Sequence, residues 1–159
     1  MFFWDKPRPC KQYEIRKCDR GEWNKFRRYH YLNNDLSTAA VCWGLYDQNN
    51  IIGFCAVLHH PHPKVKNLKR CSRLVILPDY QGIGLGTKFL NIVAQYYHDL
   101  HYKFSIVTSA KNMINALRKS DKWVMTRYDT NKYSTNKSAI DYKRKSMRKN
   151  CKTASFFFR

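Results

Sequence analysis

The chain has 159 residues, enough for one domain with a single core, and its hydrophobic fraction of 43% is that of an ordinary folded protein. Its 30 Lys and Arg outnumber its 11 Asp and Glu, so the formal net charge is +19 and anionic partners are favoured. No apolar run approaches the roughly 20 residues of a membrane span, and the first residues lack a signal-peptide pattern. We therefore expect a cytoplasmic protein with no membrane partner.

Six cysteines are scattered along the chain, and none forms a Cys-x-x-Cys pair. Cys42, Cys55 and Cys71 fall inside predicted strands, where a free cysteine packs as a small hydrophobic side chain. Disulfides and metal ligands are the alternatives. We predict reduced core thiols, as expected in a reducing compartment.

Short strands and helices alternate in the predicted secondary structure. The predicted elements, in chain order, are a strand at 13–17, a helix at 22–31, strands at 39–46 and 51–59, a strand at 71–77, a helix carrying Phe89, Leu90, Val93, Tyr96, Tyr97 and Leu100 on one side, a strand at 104–109, a helix at 112–119 and a strand at 123–128. The segment Asp47-Gln48-Asn49-Asn50 is rich in turn formers and predicts a hairpin between the second and third strands.

One segment between a predicted strand and the long helix is the most informative. The apolar run Leu74-Val75-Ile76-Leu77 ends at Pro78-Asp79 and is followed by Gln81-Gly82-Ile83-Gly84-Leu85-Gly86. Three glycines let the backbone turn tightly and bring its N–H groups close to a ligand. The start of the helix adds free N–H donors and the positive end of a dipole. The segment predicts a phosphate site built mainly from backbone.

Two common phosphate-binding patterns do not fit this loop. A Walker loop needs Gly-Lys-Ser/Thr at its end, whereas Gly86 is followed by Thr87 and Lys88 in the wrong order. A dinucleotide fingerprint needs a different glycine spacing and an acidic residue after the next strand, and the strand near 104–108 has none. A glycine-rich turn without a ligand and an acyl-CoA loop remain.

The loop matches the pattern Gln/Arg-x-x-Gly-x-Gly/Ala, and over about residues 11–130 the sequence resembles the GCN5-related N-acetyltransferase (GNAT) superfamily. The resemblance implies an α/β (α+β) fold: a single domain with a central mixed, mostly antiparallel sheet and helices on both faces. It also implies acetyl-CoA, or another acyl-CoA, as co-substrate. The implied cofactor-binding residues are Leu74, Val75, Ile76 and Leu77 for the pantetheine arm, Gln81, Gly82, Ile83, Gly84, Leu85, Gly86 and Thr87 for the pyrophosphate, and Asn112 in the next helix.

The resemblance leaves the proton-transfer groups open. Many family members carry a tyrosine acid in the helix near 112–123, but the matching position here is Ser120. The strand before the loop offers Arg70, Ser72 and Arg73 where relatives often supply a carboxylate base. Ser109, Tyr128 and solvent are the candidate acids.

Histidines are the candidate bases, because an unperturbed imidazole has a pKa near 6.5. His30 lies in Tyr29-His30-Tyr31, at the end of the first predicted helix, where relatives line the acceptor pocket; Tyr31 is a further candidate. His60, with His59 and His62, ends a hairpin strand that we expect beside the loop. Each could instead be structural or solvated. His60 and His62 show no third metal ligand, so no metal is predicted.

Two weaker resemblances concern the acceptor. The His-Tyr-Leu element, the Leu-Pro-Asp-Tyr-Gln-Gly loop and Thr108-Ser109 resemble an acetyltransferase-like domain fused to ABC-type ATPases, and Tyr29-His30-Tyr31 resembles an early motif of Mom-type phage DNA-modification proteins. They imply an acceptor on or near nucleic acid, and an ATPase as a candidate partner. A protein-lysine or small-amine acetyltransferase and a non-catalytic nucleic-acid-binding module are the alternatives.

The two ends of the chain are predicted to lie outside the domain. Residues 1–10 are interpreted as an N-terminal arm and 131–159 as a basic, aromatic-containing tail. The tail places Tyr133, Tyr142 and the run Phe156-Phe157-Phe158 among cations, a combination that suits base stacking and phosphate contact. A merely solubilising tail is the alternative.

Overall fold

The computed structural model describes residues 13–30, 35–130 and 152–159. Its elements are β1 Tyr13–Lys17, α1 Trp23–Phe26, β2 Val41–Asp47, β3 Asn50–His59, β4 Leu68–Ile76, α2 Leu85–Asp99, β5 Lys103–Thr108, α3 Lys111–Lys119, β6 Trp123–Thr130 and β7 Lys152–Phe158. Short 3₁₀ turns at Arg20–Glu22, Arg27–Tyr29 and Pro78–Tyr80 complete the described structure.

All of these strands form one seven-stranded sheet in the order β1-β2-β3-β4-β5-β7-β6. Every neighbouring pair is antiparallel except β4 and β5, which are parallel. The parallel pair is connected through α2, as a parallel connection requires a crossover. The sheet confirms the predicted mixed, mostly antiparallel α/β (α+β) domain.

Helices cover both faces of the sheet, as predicted. On one face, which we call the α2 face, Phe89, Leu90 and Val93 of α2 are buried with Leu117 of α3 in the larger core cluster. On the opposite face, the α1 face, Trp23 and Phe26 pack on Phe54 of β3 with ring centroids 5.3 and 5.7 Å apart. The hydrophobic side chains that alternate along β3 supply both clusters.

The parallel strands β4 and β5 separate partway along their length. Their pairing runs from Leu68↔Lys103 to Cys71↔Ile106 and then stops. β4 continues to Ile76, whereas β5 ends at Thr108 and keeps its antiparallel pairing with β7 to that residue. Residues 72–76 of β4 therefore have no strand partner on their β5 side among the described residues. The carbonyl oxygens of Ser72 and Ile76 accept side-chain hydrogen bonds from Arg73 and Gln81. The other backbone groups on the β5 side can pair with a ligand.

The C-terminal end of the chain differs from the prediction. Lys152–Phe158 is not tail but strand β7, which lies between β5 and β6. Ala154, Phe156 and Phe158 are buried in the α2-face cluster, because alternate side chains of the strand point to that face. Burial removes Phe156 and Phe158 from any surface for base stacking. Residues 131–151, like the predicted arm at 1–10, lie outside the described residues.

The first predicted helix, at 22–31, is shorter than expected. Only four residues form α1, and His30 is already extended, with φ −94° and ψ 127°. Within this segment, only Trp23 and Phe26 are buried, so packing stabilises a single helical turn. The helix does not extend further, because a short helix without packing is marginally stable in water. The other predicted elements are present, with boundaries that differ by up to three residues.

The described cysteines are free thiols, and Cys42, Cys55 and Cys71 are buried in β2, β3 and β4 as predicted. The Sγ atoms of Cys55 and Cys71 lie 3.7 Å apart. Within the described part of the chain, no helix is both long and apolar enough to span a membrane.

Candidate active site

A cavity of about 510 Å³ lies where β4 and β5 separate, next to the N-terminus of α2. It brings together residues that are distant in the sequence. Of the predicted site residues, those that line it are His30, Leu74, Ile76, Gln81, Gly82, Gly84, Leu85, Gly86, Thr87 and Asn112. Most of the predicted cofactor-binding residues therefore share one site with one predicted catalytic histidine.

The glycine-rich loop has the geometry of an anion-binding turn. Gly82 and Gly84 have φ angles of 84° and 80°, in the left-handed region that disfavours other residues. A Cβ atom built on either glycine meets no atom within 4 Å, so the protein itself leaves room in front of both. Gly84 is the N-cap of α2 and no side chain caps the helix, so the first-turn N–H groups remain free for an anion.

Gln81 holds this loop against the end of β4. Its Nε2 donates a 2.7 Å hydrogen bond to the carbonyl oxygen of Ile76, the last residue of the strand. The preceding 3₁₀ turn Pro78–Tyr80 is anchored by Tyr80, whose hydroxyl donates to Asp47 Oδ2 at 3.3 Å. The Gln81 side chain thus ties the loop to the strand, and Gln81 also lines the cavity. Its contact with a pyrophosphate stays a prediction.

The four predicted residues around the end of β4 divide between two faces. Leu74 and Ile76 pack on the α2-face cluster and line the cavity, whereas Val75 and Leu77 pack on the α1-face cluster around Phe54. This division follows from the alternation of side chains along a strand. The side chains of Val75 and Leu77 do not line the site, and the backbone N–H of Leu77 donates to the carbonyl oxygen of Ile52 in β3. Contact of these two residues with a pantetheine arm stays a prediction.

Thr87 and Asn112 lie on the two helices beside the loop. Thr87 is in the first turn of α2, and its hydroxyl lies 3.9 Å from the Met113 Sδ of α3. Asn112 is the second residue of α3 and lines the cavity. Ile83, in contrast, is 62% exposed at the tip of the loop and does not line the cavity.

His30 approaches the cavity from the α1 side of the sheet. It directly follows the 3₁₀ turn Arg27–Tyr29, and its ring packs edge-on against Trp23 with centroids 5.6 Å apart. Trp23 is buried against Phe54, so the aromatic contact positions the imidazole relative to the sheet. A histidine held at the wall of a cavity is suited to accept a proton.

His60 is not beside the loop, and that prediction is wrong. Its backbone N–H bonds to the carbonyl oxygen of Leu68, the first residue of β4, whereas the glycine loop follows Ile76 at the other end. Because a strand rises about 3.3 Å per residue, the two ends lie roughly 25 Å apart. The pKa of His60 is lowered mainly by burial and to a smaller extent by the positive charge of Arg70.

Of the other predicted catalytic residues, neither Ser109 nor Tyr128 lines the cavity. Ser109 is buried directly after β5, but the cavity wall is formed by its neighbours Thr108 and Ala110. Tyr128 is 48% exposed in β6 and pairs with Ala154, so β7 separates it from β5. Tyr31 lies outside the described residues.

Several cavity-lining residues were not predicted from the sequence. Ser72 and Arg73 come from the free length of β4, the stretch 72–76 that has no β5 partner. Tyr80 comes from the 3₁₀ turn, and Thr108 from the end of β5. Arg73 donates from Nη1 to the carbonyl oxygen of Ser72 at 2.9 Å and from Nη2 to that of Asp35 at 3.0 Å. The sequence signal for Ser72 and Arg73 was their position in the strand that leads into the loop. Only the register of β4 on β5 shows that they lie where the two strands separate.

Within the described residues, no three His, Cys, Asp or Glu side chains lie close enough together to hold a metal ion. The polar groups that line the cavity are instead hydroxyls, amides, an imidazole and a guanidinium. Such groups bind and orient organic substrates and transfer protons.

Among the described strands, the one parallel pair of a mixed sheet opens beside a glycine-rich helix N-terminus. This arrangement is that of the GNAT acetyltransferase fold. The model of the acetyltransferase (GNAT) family matches residues 9–118, and the chain belongs to this family. A search among curated proteins found no significant match.

Solved structures of acetyltransferases share the fold. The ribosomal-protein-S18-alanine N-acetyltransferase from Escherichia coli is similar at a TM-score of 0.65 and 12% identity, covering 92% of this chain and 93% of that chain. A GNAT family acetyltransferase from Elizabethkingia anophelis with acetyl-CoA bound has a TM-score of 0.65 and 14% identity, covering 92% and 97%. NAA60 from Arabidopsis thaliana in complex with a bisubstrate analogue has a TM-score of 0.65 and 12% identity, also covering 92% and 97%.

Proposed function

We propose that the protein is an acyl-CoA-dependent N-acyltransferase that transfers an acetyl group from CoA to an amine. One observation carries the proposal: a single cavity joins the glycine loop and the free length of β4 to His30, which approaches from the α1 side. The cavity can therefore bring a thioester and an amine together in the gap between β4 and β5.

The residues present fit a CoA molecule. The free first-turn N–H groups of α2 and the open space in front of Gly82 and Gly84 suit the pyrophosphate. The stretch 72–76 lacks a strand partner on its β5 side and suits the amide groups of a pantetheine arm, which would bind as an added strand. The similar structure from Elizabethkingia anophelis has acetyl-CoA bound, which supports CoA as the cofactor.

His30 is the proposed general base. The amine nitrogen attacks the thioester carbon, the carbon–sulfur bond breaks, and CoA leaves as a thiolate. The proton that the amine loses goes to the imidazole of His30, the histidine that lines the cavity. A backbone N–H of β4 facing the thioester oxygen would stabilise the negative charge that develops on it.

Charge supports a nucleic acid, or an acceptor bound to nucleic acid, as the favoured acceptor. The chain carries a formal net charge of +19, far more than one CoA molecule requires. The same charge disfavours free polyamines and other cationic acceptors by repulsion in solution. An ATPase partner is proposed only on the sequence resemblance, and a cytoplasmic location is consistent with the buried free thiols.

Calorimetric titration with acetyl-CoA, with and without a short DNA duplex at moderate salt, tests the proposal. The wild type should bind with micromolar affinity, and the Gly84→Glu variant should neither bind nor transfer, because its carboxylate points into the open space of the loop. Ile92→Glu, at an exposed position farther along helix α2, is a matched control for an added carboxylate.

The outcomes separate the candidate functions. A change in acetyl-CoA affinity with DNA would support a nucleic-acid acceptor. Persistent turnover in Gly84→Glu would contradict the loop assignment. No acetyl-CoA binding, with salt-sensitive DNA binding retained, would favour the non-catalytic nucleic-acid-binding module.

A further inference from the structure

Arg70 and Ser105 lie side by side on the α1 face of the sheet. They are register partners in the parallel pair of β4 and β5. Their cross-strand neighbours are Leu58 of β3, which pairs with Arg70, and Phe157 of β7, which pairs with Ser105. A guanidinium and a hydroxyl therefore interrupt an otherwise apolar row of side chains.

Each of the two groups contains a buried polar atom that has no partner among the described residues. Ser105 is 2% exposed, and its hydroxyl has no hydrogen-bond partner among the described residues. The buried Nε of Arg70 likewise has none in this part of the chain. Burying such groups without partners is unfavourable.

The charge of Arg70 is also uncompensated by the described residues. The ion pairs among these residues involve Arg16, Lys25, His98 and Arg127, and none includes Arg70. Burial alone lowers the pKa of the Arg70 guanidinium, with no carboxylate contributing. A partly buried arginine is normally paired with an anion or an array of acceptors.

The pair lies next to the cavity, at the end where β4 and β5 are still paired, although neither residue lines it. Arg70 directly precedes Cys71, and Ser105 directly precedes Ile106, and both of these following residues line the cavity. Arg73 and Val107, on the same α1 face as the pair, also line it. Arg70 and Ser105 are therefore next to the part of the cavity on the His30 side, where the proposed function places the acceptor.

We infer that Arg70 and Ser105 form a subsite for an anionic group of the acceptor, a phosphate or a carboxylate. The guanidinium supplies charge and N–H donors, and the Ser105 hydroxyl supplies one more donor at the adjacent position. The subsite selects an acceptor whose anionic group lies a short distance from its reacting amine. This inference rests on the proposed function for the identity of the ligand as acceptor.

Direct binding of small anions tests the subsite. The full-length protein is titrated with inorganic phosphate and, separately, with acetate, and binding is followed by the amide signals of residues 70 and 105 in two-dimensional NMR spectra. Saturating CoA is present, so that the glycine loop is already filled. Saturable shifts at these two amides are the expected result for at least one of the anions.

Three variants separate the subsite from general electrostatics. Arg70→Gln should weaken anion binding about tenfold or more, because it removes a charge-assisted contact. Lys69→Gln removes the same charge from the adjacent residue, whose ammonium lies over Tyr97 and Tyr102 on the α2 face, and should leave binding unchanged. Ser105→Ala should weaken binding about threefold while raising thermal stability, because it removes an unsatisfied buried hydroxyl.

The results decide the inference in either direction. Tighter binding of phosphate than of acetate identifies a phosphate-bearing acceptor, as nucleic acid would be, and the reverse identifies a carboxylate. If neither anion shifts these amides, or if Lys69→Gln weakens binding as much as Arg70→Gln, the subsite does not exist. Acetyl-CoA affinity, measured separately, reports on the proposed function, and a wild type that does not bind acetyl-CoA overturns that function. Anion-induced shifts that Arg70→Gln weakens and Lys69→Gln does not support the subsite in either case.

Discussion

The Nε2 of Gln81 donates a 2.7 Å hydrogen bond to the carbonyl oxygen of Ile76, and this contact ties the glycine loop to the last residue of β4. The two candidate halves of the CoA site, the loop and the free strand edge, are thereby held in one geometry. Preorganisation of this kind lowers the entropy cost of binding.

Removing that bond should weaken cofactor binding without unfolding the protein. We expect Gln81→Ala to reduce acetyl-CoA affinity about fivefold, because a neutral hydrogen bond contributes about 1 kcal/mol. Gln95→Ala is the matched control, since the Gln95 side chain donates a hydrogen bond to Asp99 on the exposed side of α2. Calorimetry measures both; equal affinities of Gln81→Ala and the wild type would show that the bond does not position the loop.

The glycines of the loop should differ in their tolerance of alanine. Gly84→Ala should cost roughly 1–2 kcal/mol of stability, because φ at this position is 80° and a Cβ is strained there. Gly86→Ala should instead be neutral or stabilising, since Gly86 lies within α2 and a Cβ there makes ordinary 3.6 Å contacts with Ile76 and Met113. Urea denaturation compares them, and equal losses would contradict the assigned backbone conformation.

His30 should affect turnover rather than cofactor binding. We expect His30→Gln to lower kcat about a hundredfold or more with acetyl-CoA affinity unchanged, because the lost group accepts a proton, whereas the proposed CoA contacts come from the glycine loop and β4. His98→Gln, on the exposed surface at the end of α2, is the control. Steady-state kinetics with any accepted amine provide the test; full activity in His30→Gln would exclude the proposed base.

His60 should make the fold sensitive to mild acid. Its folded-state pKa is lowered from 6.5, so the unfolded chain binds the proton more readily. The folded protein therefore loses stability relative to the unfolded chain as the pH falls from about 6.5 towards the lower folded-state pKa of His60. Above about pH 6.5 this group causes no loss of stability. Melting temperatures of His60→Gln should fall less than those of the wild type over this window, and parallel curves would contradict the assignment.

Strand β7 predicts a sharp contrast between neighbouring phenylalanines. Phe156 is 0% exposed in the core, so Phe156→Ala should cost about 3–5 kcal/mol in the free energy of unfolding. Phe157 points to the opposite face and is only partly buried, so Phe157→Ala should cost less. Chemical denaturation provides the comparison, and similar small losses for both would indicate that the segment does not form a central strand.

The sequence was sufficient for features that depend on neighbouring residues. The order of strands and helices from Tyr13 to Tyr128, the hairpin turn and the glycine loop all follow from local hydrophobic periodicity and turn chemistry. The loop could be recognised because its backbone conformation demands glycine at 82 and 84. The family assignment followed from the same local pattern.

Tertiary structure alone decided which distant residues meet. Lys152–Phe158 alternates buried and partly exposed side chains, but a run of aromatic residues among cations did not reveal that it lies between β5 and β6. From the sequence, His60 and His30 were equally plausible candidates for the general base. Only the register of β3 on β4 places His60 at the end of β4 that is far from the glycine loop. The pairing of Arg70 with Ser105, and the gap that begins two residues beyond them, depend on strand partners that are far apart in the chain. Local propensity carries no information about such pairings, because they are selected by the burial of whole faces of the sheet.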